Sequence, residues 1–406
     1  MFGTQFMRHA IRLARRGYGT TSPNPMVGAV LVKSGKIIGR GWHRRAGGPH
    51  AEIEALRDVQ RHGHSANGAT LYVTLEPCST HGRTPPCTEA IIAAGIKRVV
   101  VGATDPNPKH SGRAFKILKR AGIAVTKVGS SRRDDRTAQR AVPTRIADEC
   151  ARLNEAFNHW IVHRTPFVTV KAAMTLDGKI ATASGESKWI TAEASRVCAM
   201  KLRQGADAIL VGINTVLADD PGLTARMKME DGRWKMAKPI RRIILDSQAR
   251  TPVKAKVVSD EHAALTTIVV SKRAPKYRMT ALAKRVNVIV APTIKVGRAV
   301  PSAPLSARSE NAPYQQIDLR WLLKKLGSEN VTSLLVEGGG EVNASFLLGG
   351  LAQRVAFFYA PKILGGRDSC KAVAGESARS LSEVIQLRDV EWKRIGPDLL
   401  LTARLK

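Results

Sequence analysis

Apolar and polar positions alternate along this chain in two blocks, each built of short strand-like runs and amphipathic helices. Met26–Lys33 and Lys36–Gly41 read as two strands around the turn signal Ser34-Gly35. His50–Arg61 has helical spacing, Ala69–Leu75 is a strand, Cys87–Ala94 is a helix ending at Gly95, and Lys97–Gly102 is a strand. Arg113–Ala121 and Ile123–Val128 continue the alternation, which predicts a layered α/β domain. Gly129–Thr144, rich in Ser, Arg and Asp, reads as a linker, and a helix through Cys150–His159 closes at Arg164-Thr165-Pro166.

The second block starts at the apolar strand Phe167–Met174. Helix Ala192–Arg203 follows, then strands Ala206–Val211, Arg242–Asp246, Thr266–Ser271 and Val286–Ala291. Ser333–Glu337 reads as a strand running through three glycines into helix Val342–Leu348, and Arg354–Ala360 and Val390–Ile395 finish the sheet. Asp231–Pro239 and Val296–Gln316 read as insertions. Two domains are expected, residues 1–145 and 146–406, each long enough for its own core.

One short region carries the chemistry. His50-Ala51-Glu52, then Pro77-Cys78, then Cys87 supply an imidazole, two thiols and a spare carboxylate. Three such ligands hold Zn²⁺ with water in the fourth position, and Glu52, two residues after His50, moves protons without ligating. That is the inventory of a hydrolytic deaminase. A single His or Cys is usually just a packed residue, so the reading rests on the grouping. A helix starting at Ala51 favours negative charge near the site, and a thiolate at the helix start Cys87 gains from the same dipole. His43, His62, His64 and His81 read as solvated loop or surface residues.

The cysteine spacing narrows the substrate. Deaminases of tRNA adenosine and cytidine typically carry Pro-Cys-x-x-Cys, whereas eight residues separate Cys78 from Cys87 here. The string Glu76–Cys87 resembles the deaminase half of the bifunctional riboflavin-biosynthesis deaminase–reductases, as do Thr21–Val30 and Asp105-Pro-Asn-Pro108. The resemblance implies a cytidine-deaminase-like three-layer α/β/α domain, with Asn24 among the substrate contacts.

Lys171–Ile180, Ser184–Thr191 and Gly212–Pro221 resemble the reductase half of the same family, which implies a dihydrofolate-reductase-like α/β domain using NADPH. Glu337-Gly-Gly-Gly-Glu341, between a strand and a helix, suits close backbone approach to a phosphate, although it is not the G-x-G-x-x-G fingerprint of an ordinary Rossmann domain. By position, Ala173, Trp189, Thr215, Asp219 and Ser247 would touch the cofactor. Its phosphates would lie in the segment Gly339, Gly340, Glu341, Val342, Asn343, Ala344 and Ser345. Ser187, Arg203, Leu223, Arg226 and Glu337 would bind substrate, with Lys171 as a further phosphate or sugar contact. Arg203 and Arg226 are the right type for a ribose phosphate, because a guanidinium pairs bidentately with phosphate oxygens.

Composition adds limits. The net charge is +32, of which residues 1–145 carry +17 and the remainder +15, so the excess is not an appended tail. It raises nucleic acid as a partner, but aromatic residues make up only 5% of the chain and base-stacking platforms are not evident. No run of about 20 apolar residues exists to cross a membrane, and the N-terminal residues lack a signal-peptide core. Cys150, Cys198 and Cys370 are scattered without a pairing pattern, which fits a reducing cytoplasm. The expected partner is a small pyrimidine ribose phosphate, and the expected assembly a homo-oligomer, dimer or tetramer. A nucleic-acid base deaminase, a non-catalytic relative and a chain with one working half stay open at this point.

Overall fold

The structure, a computed structural model, describes residues 2–81, 85–129, 144–228, 234–296, 314–376, 378 and 380–406. The chain forms two compact units, Met1–Arg164 and Thr165–Lys406.

In the first unit α1 (Phe2–Ala14) leads into β1 (Gly28–Lys33) and β2 (Lys36–Trp42). Then come α2 (Ala51–Arg61), β3 (Thr70–Leu75), α3 (Cys87–Ala93) and β4 (Arg98–Ala103). The unit ends with α4 (Arg113–Arg120), β5 (Ala124–Lys127), α5 (Thr144–Leu153) and α6 (Glu155–His163). The sheet runs β2-β1-β3-β4-β5, with β1 antiparallel to β2 and β3, and β3, β4 and β5 parallel. Ala51, Ala55, Val59, Ile91 and Leu118 of α2, α3 and α4 pack on one face, against Leu31, Leu71, Val73, Val99 and Val101. Met7, Ala10 and Ile11 of α1, with Ile146 and Cys150 of α5, cover the other face against Val30, Val32 and Val100. The expected three layers are therefore present.

Two glycines let helices approach the sheet closely. A Cβ on Gly28 would run into the backbone of α1 at Ala10 and Ala14, and one on Gly41 into the backbone of α2 at Ala51 and Ala55. Gly41 thereby seats the start of α2, where His50 and Glu52 lie, against β2.

Three expectations need correction here. Helix α1 was not anticipated, although Phe6, Met7, Ala10, Ile11 and Ala14 form a helical stripe; charged neighbours (Arg8, Arg12, Arg15, Arg16) obscure it. The helix near Cys150 is broken: Asn154 leaves the helical path, accepts the Met26 N–H (2.7 Å) and donates to the Met26 carbonyl (2.9 Å). The expected division at 145/146 falls within α5, which packs on α1 and β4, so the contacts keep residues up to Arg164 with the first unit. Of the expected linker, residues 130–143 lie outside the described residues.

The second unit begins with β6 (Phe167–Thr175), β7 (Lys179–Ala181), α7 (Glu193–Gly205), β8 (Ala208–Gly212) and α8 (Ile213–Asp219). Next are β9 (Ala225–Lys228), β10 (Trp234–Lys238), β11 (Arg241–Leu245), α9 (Lys256–Ser259), β12 (Thr266–Ser271), α10 (Lys276–Ala283) and β13 (Asn287–Ala291). Then follow β14 (Thr293–Val296), β15 (Tyr314–Ile317), α11 (Leu319–Ser328), β16 (Ser333–Val336) and α12 (Gly340–Leu348). The unit closes with β17 (Arg354–Ala360), β18 (Cys370–Lys371), β19 (Leu387–Ile395) and β20 (Asp398–Leu405). The main sheet runs β13-β12-β11-β8-β16-β6-β17-β20-β19, parallel through β17 and antiparallel beyond. Its central strands are buried on both faces, as parallel sheets require, and read as continuous apolar runs such as Ala208–Val211.

Strand β20 was missed, since its apolar run follows Gly396-Pro397 with little alternation. Within the expected insertion at 231–239, β10 pairs with β9 as a hairpin arm; residues 229–233 lie outside the described residues. The insertion expected at 296–316 lies between paired strands β14 and β15, and its residues 297–313 are likewise outside them.

Replacing Gly41 with Ala should destabilise the first unit by about 1–3 kcal/mol or more, as overpacking does. Thermal melts checked by circular dichroism read this directly, and an unchanged transition would mean that α2 can retreat from β2 freely.

Candidate active sites

In the first unit, three elements deliver the metal-seeking groups. His50 precedes α2 as its N-cap residue, Cys78 lies just past β3, and Cys87 opens α3. His50 Nδ1 is 3.3 Å from Cys87 Sγ and 3.4 Å from Cys78 Sγ, and the three ligand atoms lie within 4.8 Å of one another. Zinc bonds of about 2.3 Å to sulfur and 2.0–2.1 Å to nitrogen, set tetrahedrally, separate ligand atoms by about 3.5 Å. The donor set therefore fits zinc in size and in softness. The Cys87 N–H, unused in the first turn of α3, donates to the Cys78 sulfur at 3.1 Å. The Cys78 thiol is held down to about 4, first by its hydrogen bond with Cys87, against the effect of burial. That same bond, with burial, pushes Cys87 up. The Cys78 sulfur raises the His50 imidazole to about 9. A divalent cation replaces the protons these groups otherwise share.

Glu52, in the first turn of α2, is 3% exposed. Burial pushes its carboxyl up to about 7, with His50 opposing. His43 is not the surface residue expected: it is 2% exposed, its ring packs edge-on against His50 at 5.6 Å, and burial lowers its pKa. Its Nδ1 bonds the Pro49 carbonyl at 3.0 Å, so its Nε2 is the acceptor for the Asn24 amide at 3.3 Å. That chain of contacts places Asn24 beside the metal ligands. Behind Cys78, the buried Glu76 carboxylate accepts the N–H groups of Asp105 (3.2 Å), Gly112 (3.0 Å) and Ala114 (3.1 Å). It thereby holds the Asp105–Pro108 loop at the same sheet edge.

In the second unit, Glu337 ends the β16 run and is nearly enclosed. Arg203 of α7 grips it with two bonds, Nε at 2.9 Å and a terminal nitrogen at 2.8 Å, and Lys171 of β6 stands 3.7 Å away. Burial alone would raise the Glu337 carboxyl, but Arg203 and Lys171 outweigh it and hold it at about 2. The remaining terminal nitrogen of Arg203 donates to the Thr224 carbonyl at 3.1 Å. The guanidinium fork expected to meet a ribose phosphate is thus already filled by Glu337. Ser187 donates to Asp219 at 3.2 Å, Lys188 pairs with Asp219 at 3.4 Å, and Trp189 stands 65% exposed with Arg196 over its ring at 4.6 Å. Gly339 caps α12, and a Cβ on Gly340 would meet the chain at Lys371 and Ala374.

The two halves match two families. The model described as "RibD C-terminal domain" matches residues 166–401, and the "Cytidine and deoxycytidylate deaminase zinc-binding region" matches residues 3–103. The riboflavin biosynthesis protein RibD of Actinobacillus pleuropneumoniae is 39% identical over 401 residues, covering 99% of this chain and 95% of that protein. Its counterpart in Aquifex aeolicus is 41% identical over 397 residues, covering 98% and 96%. The chain belongs to the RibD family. Among solved structures, Acinetobacter baumannii RibD superposes with a TM-score of 0.77 at 32% identity over 99% of this chain and 98% of that one. A Thermotoga maritima structure described as a diaminohydroxyphosphoribosylaminopyrimidine deaminase/5-amino-6-(5-phosphoribosylamino)uracil reductase does so with 0.75 at 33% identity, covering 100% and 99%.

Within this RibD-family chain the structure groups His50, Cys78, Cys87, Glu52 and Asn24 in the first unit, and Lys171, Arg203 and Glu337 in the second. Leu223 is buried with φ +46°, while Arg226 is exposed on β9. Asn343 and Ala344 are buried, with the Asn343 amide donating to the Ala372 carbonyl at 2.8 Å. The Ser345 hydroxyl is turned back to the Glu341 carbonyl at 2.8 Å. Val342 packs against the second unit's core, Thr215 lies in α8 and Ala173 in β6. Sequence reasoning missed His43, Glu76 and Asp105. The Asp105-Pro-Asn-Pro string pointed to the last of these, but nothing local marked His43 as buried.

Cys87→Ser should lower the zinc content of purified protein well below one per chain, because a hydroxyl replaces thiolate poorly; full occupancy by elemental analysis would remove Cys87 from the ligand set. Glu337→Gln should destabilise the second unit by about 3–5 kcal/mol, by leaving two buried cations without their counter-charge. The wild-type contribution of Glu337 is complete above its ordinary pKa of 4.5 and is lost as pH falls toward about 2. Acid titrations of stability should therefore lose part of their slope in that window in the Gln variant.

Proposed function

We propose that the chain performs two successive steps of riboflavin synthesis. The first unit removes the 2-amino group of 2,5-diamino-6-ribosylamino-4(3H)-pyrimidinone 5′-phosphate by hydrolysis, releasing ammonia. The second reduces the ribosyl group to ribityl with NADPH, giving 5-amino-6-ribitylaminouracil 5′-phosphate. The observation that carries the first step is the buried Glu52 beside the His50, Cys78 and Cys87 ligand set. Zinc, when bound there, supplies the Lewis acidity that makes water nucleophilic near neutral pH. Glu52 takes the water proton, delivers it to a ring nitrogen and assists the departing ammonia. His43 holds the Asn24 amide in one orientation toward substrate.

In the second unit NADPH supplies the hydride, and the protein orients it and excludes water. The first-turn N–H groups of α12 hold the cofactor phosphates, Trp189 and Ala173 lie at the nicotinamide end, and Ser247 at the adenosine end. Glu337, fixed by Arg203 and Lys171, stays ionised and accepts hydrogen bonds from the substrate ribose; the exposed Arg226 on β9 contributes a guanidinium for its phosphate. A homo-oligomer, dimer or tetramer, belongs to this reading, supported by exposed Val390 and Trp392 on the edge strand β19. So does a reducing cytoplasm, supported by cysteines that are all unpaired. No helix among the described residues is long and apolar enough to cross a membrane.

Supplying the diaminopyrimidinone phosphate with and without NADPH tests both halves: ammonia should appear in both cases, and NADPH oxidation should follow it. Glu52→Gln should retain zinc and reduce pre-deaminated substrate normally, yet lose ammonia release by about 10²–10⁴-fold. Near-normal deamination by that variant would reject Glu52 as the proton carrier.

A further inference from the structure

The C-terminal ends of β12, β11, β8, β16 and β6 lie side by side along one edge of the second sheet. Ligands of open parallel sheets bind at that edge. Gly339 and Gly340 follow β16, and Ala173 lies in β6, one strand away on one side. Ser247 follows β11, two strands away on the other side. With strands about 4.8 Å apart, a dinucleotide whose pyrophosphate sits at β16 carries its adenosine about 10 Å along, onto the ends of β11 and β12.

That end of the edge is cationic. The N–H (3.1 Å) and hydroxyl (2.8 Å) of Ser271 both donate to the Ser247 carbonyl, locking the turn after β11 to the end of β12. Lys272 and Arg273 follow at once, both exposed and neither paired with a carboxylate among the described residues. Arg250 reaches from the same β11 turn to the first turn of α8, where its guanidinium donates to Asn214 Oδ1 at 2.9 Å. From 246 to 256 and from 271 to 279 the sole acidic residue is Asp246. It is fully buried, with Oδ2 accepting the N–H and hydroxyl of Thr251, both at 2.7 Å. No carboxylate of these turns is presented to a ribose hydroxyl, as it would be in a site built for NADH.

We propose that Arg250, Lys272 and Arg273, with the Ser247 hydroxyl, recognise the adenosine 2′-phosphate and so make the second unit select NADPH over NADH. This rests on the reductase reading above. A phosphomonoester brings nearly two negative charges and three acceptor oxygens, which guanidinium and ammonium donors match. The 2′-hydroxyl of NADH gains nothing comparable from them. These cations stand apart from Arg203 and Lys171, whose charge is taken up by Glu337.

The test compares full-length wild type with Lys272→Ser/Arg273→Ser and with Arg250→Ser, using NADPH and NADH as reductants of the deaminated substrate. In parallel, calorimetry measures binding of 2′,5′-ADP and of 5′-AMP, which differ only in the 2′-phosphate. Each variant should lower kcat/KM for NADPH about ten- to a hundredfold, chiefly through KM, as loss of one or two charge-assisted contacts does. NADH-supported turnover and 5′-AMP affinity should hold, while 2′,5′-ADP affinity falls with that for NADPH. An unchanged ratio of NADPH to NADH efficiency in both variants overturns the proposal, whether the two rates hold together or fall together. A wild type that oxidises neither cofactor overturns the reductase reading instead, and the 2′,5′-ADP arm then still decides the anion site.

Discussion

The deaminase unit depends on one constraint: three metal-seeking atoms from separate segments must meet within 4.8 Å. They meet because α2 and α3 both start at one sheet edge, and Cys78 emerges from β3 between them. Each accompanying feature serves that meeting. Gly41 lets α2 sit against β2, the Cys87 N–H steadies the Cys78 sulfur, and His43 fills the space beside the His50 ring. Glu52 is buried by the same packing, and burial is what brings its pKa near neutrality.

Buried carboxylates organise both halves, by different means. Glu76 is satisfied by three backbone N–H groups and thereby fixes a loop. Glu337 is satisfied by a bidentate guanidinium and an ammonium, and thereby fixes a charge. In the proposed mechanism proton transfer falls to Glu52, whose burial is only partly countered, while Glu337 is held an anion by its two cations. Opposite shifts of like side chains divide the labour between them.

Much of the site was legible because metal ligation and proton transfer restrict residue type so tightly. His50, Glu52, Cys78 and Cys87 could be named from identity and spacing alone. His43 could not, because an imidazole looks the same in sequence whether solvated or packed. Arg203 shows a complementary limit. Its type suited a phosphate, but its bidentate pairing with Glu337, 134 positions away, could not be read from the sequence. The helix α1 and strand β20 were missed because their apolar positions make sense only against a sheet already assembled.

What the sequence determined by itself was the order of strands and helices, the division into two α/β halves and the donor set of the zinc site. These follow from periodicities of two and 3.6 residues and from ligand chemistry, which are local properties. Only the tertiary structure decided where the first unit ends, which cations are already paired and which carboxylates lose their water. Those outcomes depend on burial and on partners distant along the chain, and no local pattern of residues records either.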